Sequence, residues 1–498
     1  MDTTLHLHTA FKVDRVDPRI FGGFLEHMGR SVNDGLYNPG SSHADESGCR
    51  TDVLEALGAL RFTAMRYPGG NFVSGYHWQD AVGPKDKRPT VRDLAWQSIE
   101  TNQFGPNEFS DIARRMDWTP MLAVNLGTGT PEEARNWLEY CNIAGGSKWA
   151  DLRREHGWEN PHDVKLWCLG NEMDGPWQIG HVPAEQYAIN AQQTARMMKM
   201  CDPDIELVVC GSCATELPTY LEWDRKVLEH CRDDVDYLSL HRYVGNHEGD
   251  TEGFLAVTNS IDEQIEATNA VCHAVYQTRR TKKKIKLSFD EWNVWYRARD
   301  AEHVDGKGKF APHLLEEEYN LEDALVVAGF LNSFIRHADS VKIANLAQVV
   351  NVIAPILTRG DELLKQSIYY AIEMYANRRD GIALQVQVDG PSYLSKKYGR
   401  VNYLDASAIL DGDKLHVFAV NRNLSDSMDL NIKVADAWVL GLDSAQIVTG
   451  KDAKATNTYE EPGKVVSSDF DDVSVCQGRA IVSLPALSVF AGTFRLQH

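Results

Sequence analysis

Short apolar runs recur through the first two thirds of the chain, each closed by glycine or polar residues and followed by a stretch of helical spacing. Eight such runs stand at 20–25, 63–67, 120–126, 164–169, 206–210, 235–240, 285–289 and 341–347. They are apolar on both faces, as strands of a parallel sheet are, whereas a half-exposed strand would alternate. Between them lie helical patterns such as 131–142, where Thr130 is placed to cap and Pro131 takes the first helical position, and 184–201. Eight strand-then-helix units predict an α/β fold, a (β/α)8 barrel with enlarged loops. A doubly wound sheet would want a glycine-rich phosphate loop. Gly127 and Gly129 lack the third glycine at the required spacing, and Pro131 follows too soon.

The pattern changes after a last predicted helix at 362–376. From 381 onward, short alternating runs separated by Gly, Asp, Asn and Pro predict an all-β sandwich. The first residues also alternate, Leu5 and Leu7 against His6 and His8, which predicts a two-faced strand that joins the sandwich. The expected division is therefore 1–17 with the sandwich, 18–380 as the barrel and 381–498 as the sandwich. His6 and His8 also spell a metal-hydrolase pair. They lie too early for the end of a first barrel strand and read as surface positions, so no metal site is expected.

Composition narrows the function. A length of 498 residues calls for more than one core. A net charge of -20 argues against nucleic acid and anionic membrane as partners, and the one basic run, 282–286, reads as a solvated strand edge. The amino terminus lacks a secretory pattern, and no window reaches the roughly 20 apolar residues that span a bilayer, so a cytoplasmic location is expected. Nine scattered cysteines fit reduced thiols, and the lone pair Cys210 and Cys213 reads as packing at a strand end.

The chemistry collects where the strands stop. Run 164–169 breaks at Gly170 and delivers Asn171 and Glu172, and run 285–289 ends in Asp290 and Glu291. Two carboxylates at the mouth of a barrel fit glycoside hydrolysis, one as proton donor and the other as nucleophile or base. Aromatics follow both: Trp177 after one, Trp292, Trp295 and Tyr296 after the other. Other strand ends carry Glu26 and His27, Arg66 and Asn71, Asn125, His241 and Tyr243, and Gln348. Amides and carboxylates around one mouth suit a ligand made of hydroxyls. The charged stretch 296–320, with Gly306 and Gly308, is long enough for a mobile loop over that mouth.

Four motifs carry a resemblance. FGGFLEHMGR around Glu26, RYPGGNF around Asn71, GNEMDGPWQIGH around Glu172 and DEWNVWY around Glu291 resemble the intracellular α-L-arabinofuranosidases of glycoside hydrolase family 51. The resemblance covers essentially the whole chain. It implies a barrel with a carboxy-terminal sandwich, no cofactor and often a hexamer. It also implies retaining, exo-acting release of terminal arabinofuranosyl units from arabinan- or arabinoxylan-derived oligosaccharides, within arabinan degradation and L-arabinose metabolism. By motif position, Glu172 takes the acid/base role and Glu291 that of nucleophile. Glu26, Asn71, Asn171 and Gln348 bind the sugar, Tyr243 contacts the nucleophile, and Trp96 and Trp295 flank the subsites. His241 and Arg66 join them as strand-end groups. The residues alone leave open another retaining barrel glycosidase (a β-xylosidase or endo-β-glycanase), a non-hydrolytic sugar-binding protein and a metal-dependent hydrolase.

Overall fold

The computed structural model describes residues 1–281, 283–300 and 307–497, so Lys282 of the basic run and Gly306 of the long loop lie outside the described residues. Among the described residues, eight parallel strands close into a barrel. In chain order they are β1 (Gly22–Phe24), β2 (Ala64–Tyr67), β3 (Thr119–Val124), β4 (Leu166–Leu169), β5 (Glu206–Val209), β6 (Tyr237–Val244), β7 (Lys286–Val294) and β8 (Val341–Leu346). Each pairs with the next, and β8 closes onto β1 through Asn345 opposite Gly22.

The double-sided apolar pattern has a direct cause. Met121, Ala123, Leu166, Cys168, Val208 and Ile343 fill the barrel interior, while their alternates Leu122, Val124, Trp167, Leu169, Leu207 and Val209 pack outward against the helices. The helix Pro131–Asn142 is capped as its sequence predicts, Thr130 accepting from the amide of Glu133.

Three predicted boundaries are wrong, the simplest being the run expected to end at 240, which continues as β6 to Val244. The run expected as helix 362–376 begins with a strand, Glu362–Lys365, folded back on Ile356–Arg359, and the helix proper is Ser367–Ala376. Gly360, at φ +57, supplies the left-handed residue that the reversal needs. Strand β7 does not stop at Phe289 but runs on to Val294, with its register to β8 shifting between Phe289 and Trp292. Strict alternation would turn Asp290 and Glu291 to opposite faces; the irregularity lets both reach Arg66.

Two further sheets pack around a second core that includes Leu5, Leu7, Val417, Leu430, Ile432, Phe490 and Phe494. Asp2–Leu7 runs parallel to Met428–Val434, and Lys12–Arg15 pairs with Ile382–Leu384. Helix Leu321–Arg336 is buried along almost its whole length beside the strand Leu404–Asp411, and Arg336 donates to Asp405 across that boundary at 2.6 Å. From the same side, the hairpin Ser392–Ser395 with Gly399–Asn402 buries Tyr393 and Val401 against Ala256. Its tip carries Lys397 and Tyr398 to the mouth of the barrel. No helix among the described residues is long and apolar enough to cross a membrane.

Candidate active site

A cavity of about 1180 Å³ opens at the carboxyl ends of the barrel strands. On its floor, a carboxylate oxygen of Glu172, one of Glu291 and a ring nitrogen of His241 all lie within 4.8 Å of one another. Glu291 projects from the irregular part of β7 and is buried. Arg66 Nη1 donates to its Oε1 at 2.6 Å, and the Tyr243 hydroxyl donates to its Oε2 at 2.9 Å. A guanidinium and a phenol on one carboxylate fix its direction.

Glu172 is held differently. It follows Gly170 out of β4 with φ +45, in the left-handed region, a backbone state that costs a non-glycine residue about 1–3 kcal/mol. His241 Nδ1 lies 2.9 Å from its Oε1, and Trp177 Nε1 donates to its Oε2 at 2.7 Å. Its side chain keeps 11% exposure, against 7% for Glu291. His241 bridges the two acids, with Nδ1 also 3.6 Å from Glu291 and Nε2 3.3 Å from Asp290. Burial alone would lower its pKa, but Glu291, Asp290 and Glu172 outweigh burial and raise it to about 10. Glu172, His241 and Glu291 are the one group among the described residues placed to share a metal ion.

A second polar cluster forms the opposite wall. Glu26 accepts from the amide of Phe72 and from Trp96 Nε1, each at 3.0 Å, and from Gln348 Nε2 at 2.9 Å, while its own amide donates to Gln348 Oε1 at 2.8 Å. Burial, then the charge of Glu291, pushes its carboxyl up to about 8 against those donors. Asn71 lines the cavity beside it, and Trp295 stands edge-on to Tyr243 with ring centres 5.3 Å apart.

Of the residues singled out in the sequence, Glu26, Asn71, Trp96, Glu172, His241, Tyr243, Glu291, Trp295 and Gln348 line this cavity. Arg66 and Asn171 lie behind it: Arg66 Nη2 donates to Asn171 Oδ1 at 2.7 Å, leaving the Asn171 amide nitrogen with one long contact of 3.5 Å to Gln178. Others belong elsewhere. Asn125 accepts from the amides of Gly127, Thr128 and Gly129, which makes that glycine pair a braced turn. His27 binds Glu100 and Tyr67 in the core, and Trp292 packs on Phe330. Of the cysteine pair, Cys210 packs as expected, but Cys213 reaches the cavity. His8 pairs with Asp436 at 3.0 Å, away from the barrel mouth. From the long loop, Lys307, Leu314 and Leu315 line the cavity.

Sequence reasoning missed Asp290, Lys397 and Tyr398. Asp290 stood in the motif next to Glu291, and only the strand irregularity reveals that it faces inward. Nothing in the spacing of the sandwich strands announces that one of its turns reaches the barrel mouth.

The chain is similar to known proteins over nearly its whole length. Residues 56–254 match the α-L-arabinofuranosidase 1 domain, and residues 290–488 the α-L-arabinofuranosidase C-terminal domain. An intracellular exo-α-(1→5)-L-arabinofuranosidase from Halalkalibacterium halodurans is 43% identical over 98% of each chain. An exo-α-(1→6)-L-arabinofuranosidase from Bifidobacterium longum is 40% identical over 98% of this chain and 96% of its own. The solved structure of a family 51 α-L-arabinofuranosidase, also from Bifidobacterium longum, superposes with a TM-score of 0.95 at 37% identity, covering 99% of both chains.

Proposed function

We propose a mechanism from one premise: this chain belongs to the α-L-arabinofuranosidases of glycoside hydrolase family 51. It is an exo-acting, retaining α-L-arabinofuranosidase that removes terminal non-reducing arabinofuranosyl units from arabinan- and arabinoxylan-derived oligosaccharides. The observation that carries the mechanism is the approach of the two carboxylates within 4.8 Å. Retention needs them about 5–5.5 Å apart, and inversion needs about 6.5–9.5 Å to admit a water.

Glu291, held by Arg66 and aimed by Tyr243, attacks the anomeric carbon. Glu172 gives a proton to the leaving oxygen, and the sugar is held as an ester on Glu291. Glu172 then takes a proton from water, whose oxygen displaces Glu291, and the anomeric configuration is restored. Glu26, Gln348 and Asn71 on the wall, with the spare amide hydrogens of Asn171, offer the furanose hydroxyls both donors and acceptors. Trp96 and Trp295 flank the ring, and His241 and Arg66 act through the carboxylates they hold.

The same reading extends to the whole protein: an amino-terminal strand (1–17) that belongs with the sandwich (381–498), a catalytic barrel (18–380), a cytoplasmic site of action in arabinan and L-arabinose metabolism, and a hexameric assembly. It needs no cofactor. Replacing Glu172 with Ala tests the mechanism: an activated aryl arabinofuranoside should still load Glu291, and added azide should restore turnover with an arabinosyl azide of retained configuration. An inverted azide from that variant would exchange the two roles and overturn the assignment.

A further inference from the structure

Behind the two glutamates lies a carboxylate that the mechanism above leaves unused. Asp290 is about 1% exposed, and its Oδ1 accepts the Ser239 hydroxyl at 2.5 Å. Both oxygens stand 3.3 Å from Nε2 of His241. Ser239 has one hydrogen and has committed it to Asp290, so toward His241 its oxygen can only accept. Asp290 is also an acceptor: burial works against its anion, but Arg66, with Nε 3.7 Å away, and His241 hold the carboxyl below its ordinary range. Nε2 therefore carries a hydrogen whatever the state of the ring. The other nitrogen, Nδ1, is left to face Glu172 at 2.9 Å and Glu291 at 3.6 Å.

We propose that Asp290 is a positioning residue which, with Ser239, fixes the Nε2–H form of His241, so that Nδ1 and Glu172 share the single proton later given to the leaving sugar. The inference rests on the acid/base role of Glu172 and deepens it. In the first half-reaction the Nδ1–H bond breaks as an O–H bond forms on Glu172, turning imidazolium into imidazole. That O–H then breaks as the proton joins the glycosidic oxygen, which takes the electron pair of its bond to the anomeric carbon. In the second half a water proton passes to Glu172 and back to Nδ1, and the water oxygen bonds the anomeric carbon as Glu291 leaves. Every proton is accounted for within the Glu172–His241 pair, the water and the sugar.

Other ionisable groups surround the ring. Asp174 comes from the same turn as Glu172, and Arg66 reaches Asp290 and Glu291 from β2. Tyr243 donates to Glu291 from β6, the strand that carries His241, and the Cys168 sulfur lies 3.9 Å from Asp290. The Cys213 thiol, on the cavity wall near Glu172 and Asp174, is raised by burial and then by those charges, so it stays neutral. Asp290 is the carboxylate on the far side of the ring from Glu172, so its removal acts on the shared proton through His241.

The test is Asp290→Asn and Ser239→Ala, each assayed across pH on a neutral arabino-oligosaccharide and on an aryl arabinofuranoside with a good leaving group. With the anion gone, the pair holds its proton less tightly, so the alkaline limb of kcat/KM should move to lower pH, by about one unit for Asp290→Asn and less for Ser239→Ala. The oligosaccharide should lose at least about tenfold more than the aryl substrate, which needs little protonation. Equal losses on both substrates with an unmoved alkaline limb, in whichever variant folds, would reduce Asp290 to a neutraliser of Arg66 and overturn the proposal. Glu172→Ala separates the two levels. If it too lost equally on both substrates, the acid/base assignment would fail; if it behaved as expected while the Asp290 and Ser239 variants did not, only the present inference would.

Discussion

Glu172 and Glu291 are the same residue type on the same cavity floor, yet the protein holds them by opposite means. Glu291 sits within a barrel strand, with a guanidinium on one oxygen and a phenol on the other. Glu172 sits on a left-handed turn, against a histidine that itself titrates and an indole that is 51% exposed. A nucleophile must point one way, and a guanidinium and a phenol on a rigid strand provide that. An acid/base must change charge twice per turnover, so its partners must tolerate either state. The contrast in partners matches the roles proposed for the two glutamates.

Breaking the nucleophile's side should cost most. Glu291→Ala removes the atom that bonds the sugar, so activity should fall at least about 10⁴-fold on every substrate, aryl or oligosaccharide, with no covalent intermediate detectable by mass spectrometry. A trapped sugar on that variant would show that the bond forms elsewhere. Next comes Asn171→Ala, which strips an oxygen from Arg66 and a donor from the sugar site. We expect kcat/KM to fall more than about tenfold, or about 1.4 kcal/mol, with the melting temperature little changed; a smaller fall would remove Asn171 from the site. Tyr243→Phe deletes one of the two donors on Glu291 and should cost about tenfold in kcat, since the Arg66 bond survives. Trp177→Phe deletes the indole donor on Glu172, from an exposed position, and should cost a few-fold, more on oligosaccharides than on activated aryl substrates. If Trp177→Phe outweighed Tyr243→Phe, the asymmetry drawn here would be inverted.

Stability should carry the same signature through His241. Its folded-state value is raised above 6.5, so its contribution is fully present below about pH 6.5 and is lost as pH climbs through about 10. The gap in melting temperature between the wild type and His241→Gln should therefore narrow steadily across that interval. A gap that widened would show that the ring is buried neutral.

How much of this was legible in advance follows from what each feature depends on. The eight barrel strands could be read because burial on both faces writes an uninterrupted apolar run, and Glu172 could be read because Gly170 marks where its strand stops. Glu26, Asn71 and Gln348 could be read as strand-end residues, but so could His27 and Asn125, which pack elsewhere; only the motifs separated the two groups. The continuation of β7 to Val294 was hidden: a shift of register is a property of two strands, and the sequence of one does not display it. Asp290 was missed for that reason. The turn bearing Lys397 and Tyr398 was missed because its position depends on how Tyr393 and Val401 seat on Ala256, a contact between segments far apart in the chain.

The placement of Asp2–Leu7 beside Met428–Val434 has a consequence in time. Thr9 and Asp436, which bond just beyond that pairing, are 427 positions apart. At about 5–20 residues per second, a ribosome needs roughly 20–85 s to make the one after the other. Until Gln387–Asp389 and then Met428–Val434 are made, the strand Asp2–Leu7 has neither of its mates, while the barrel strands that follow it can already find theirs. A strand made long before its partners is thus among the last to be housed, and its alternation of leucine with histidine keeps one polar face toward water while it waits.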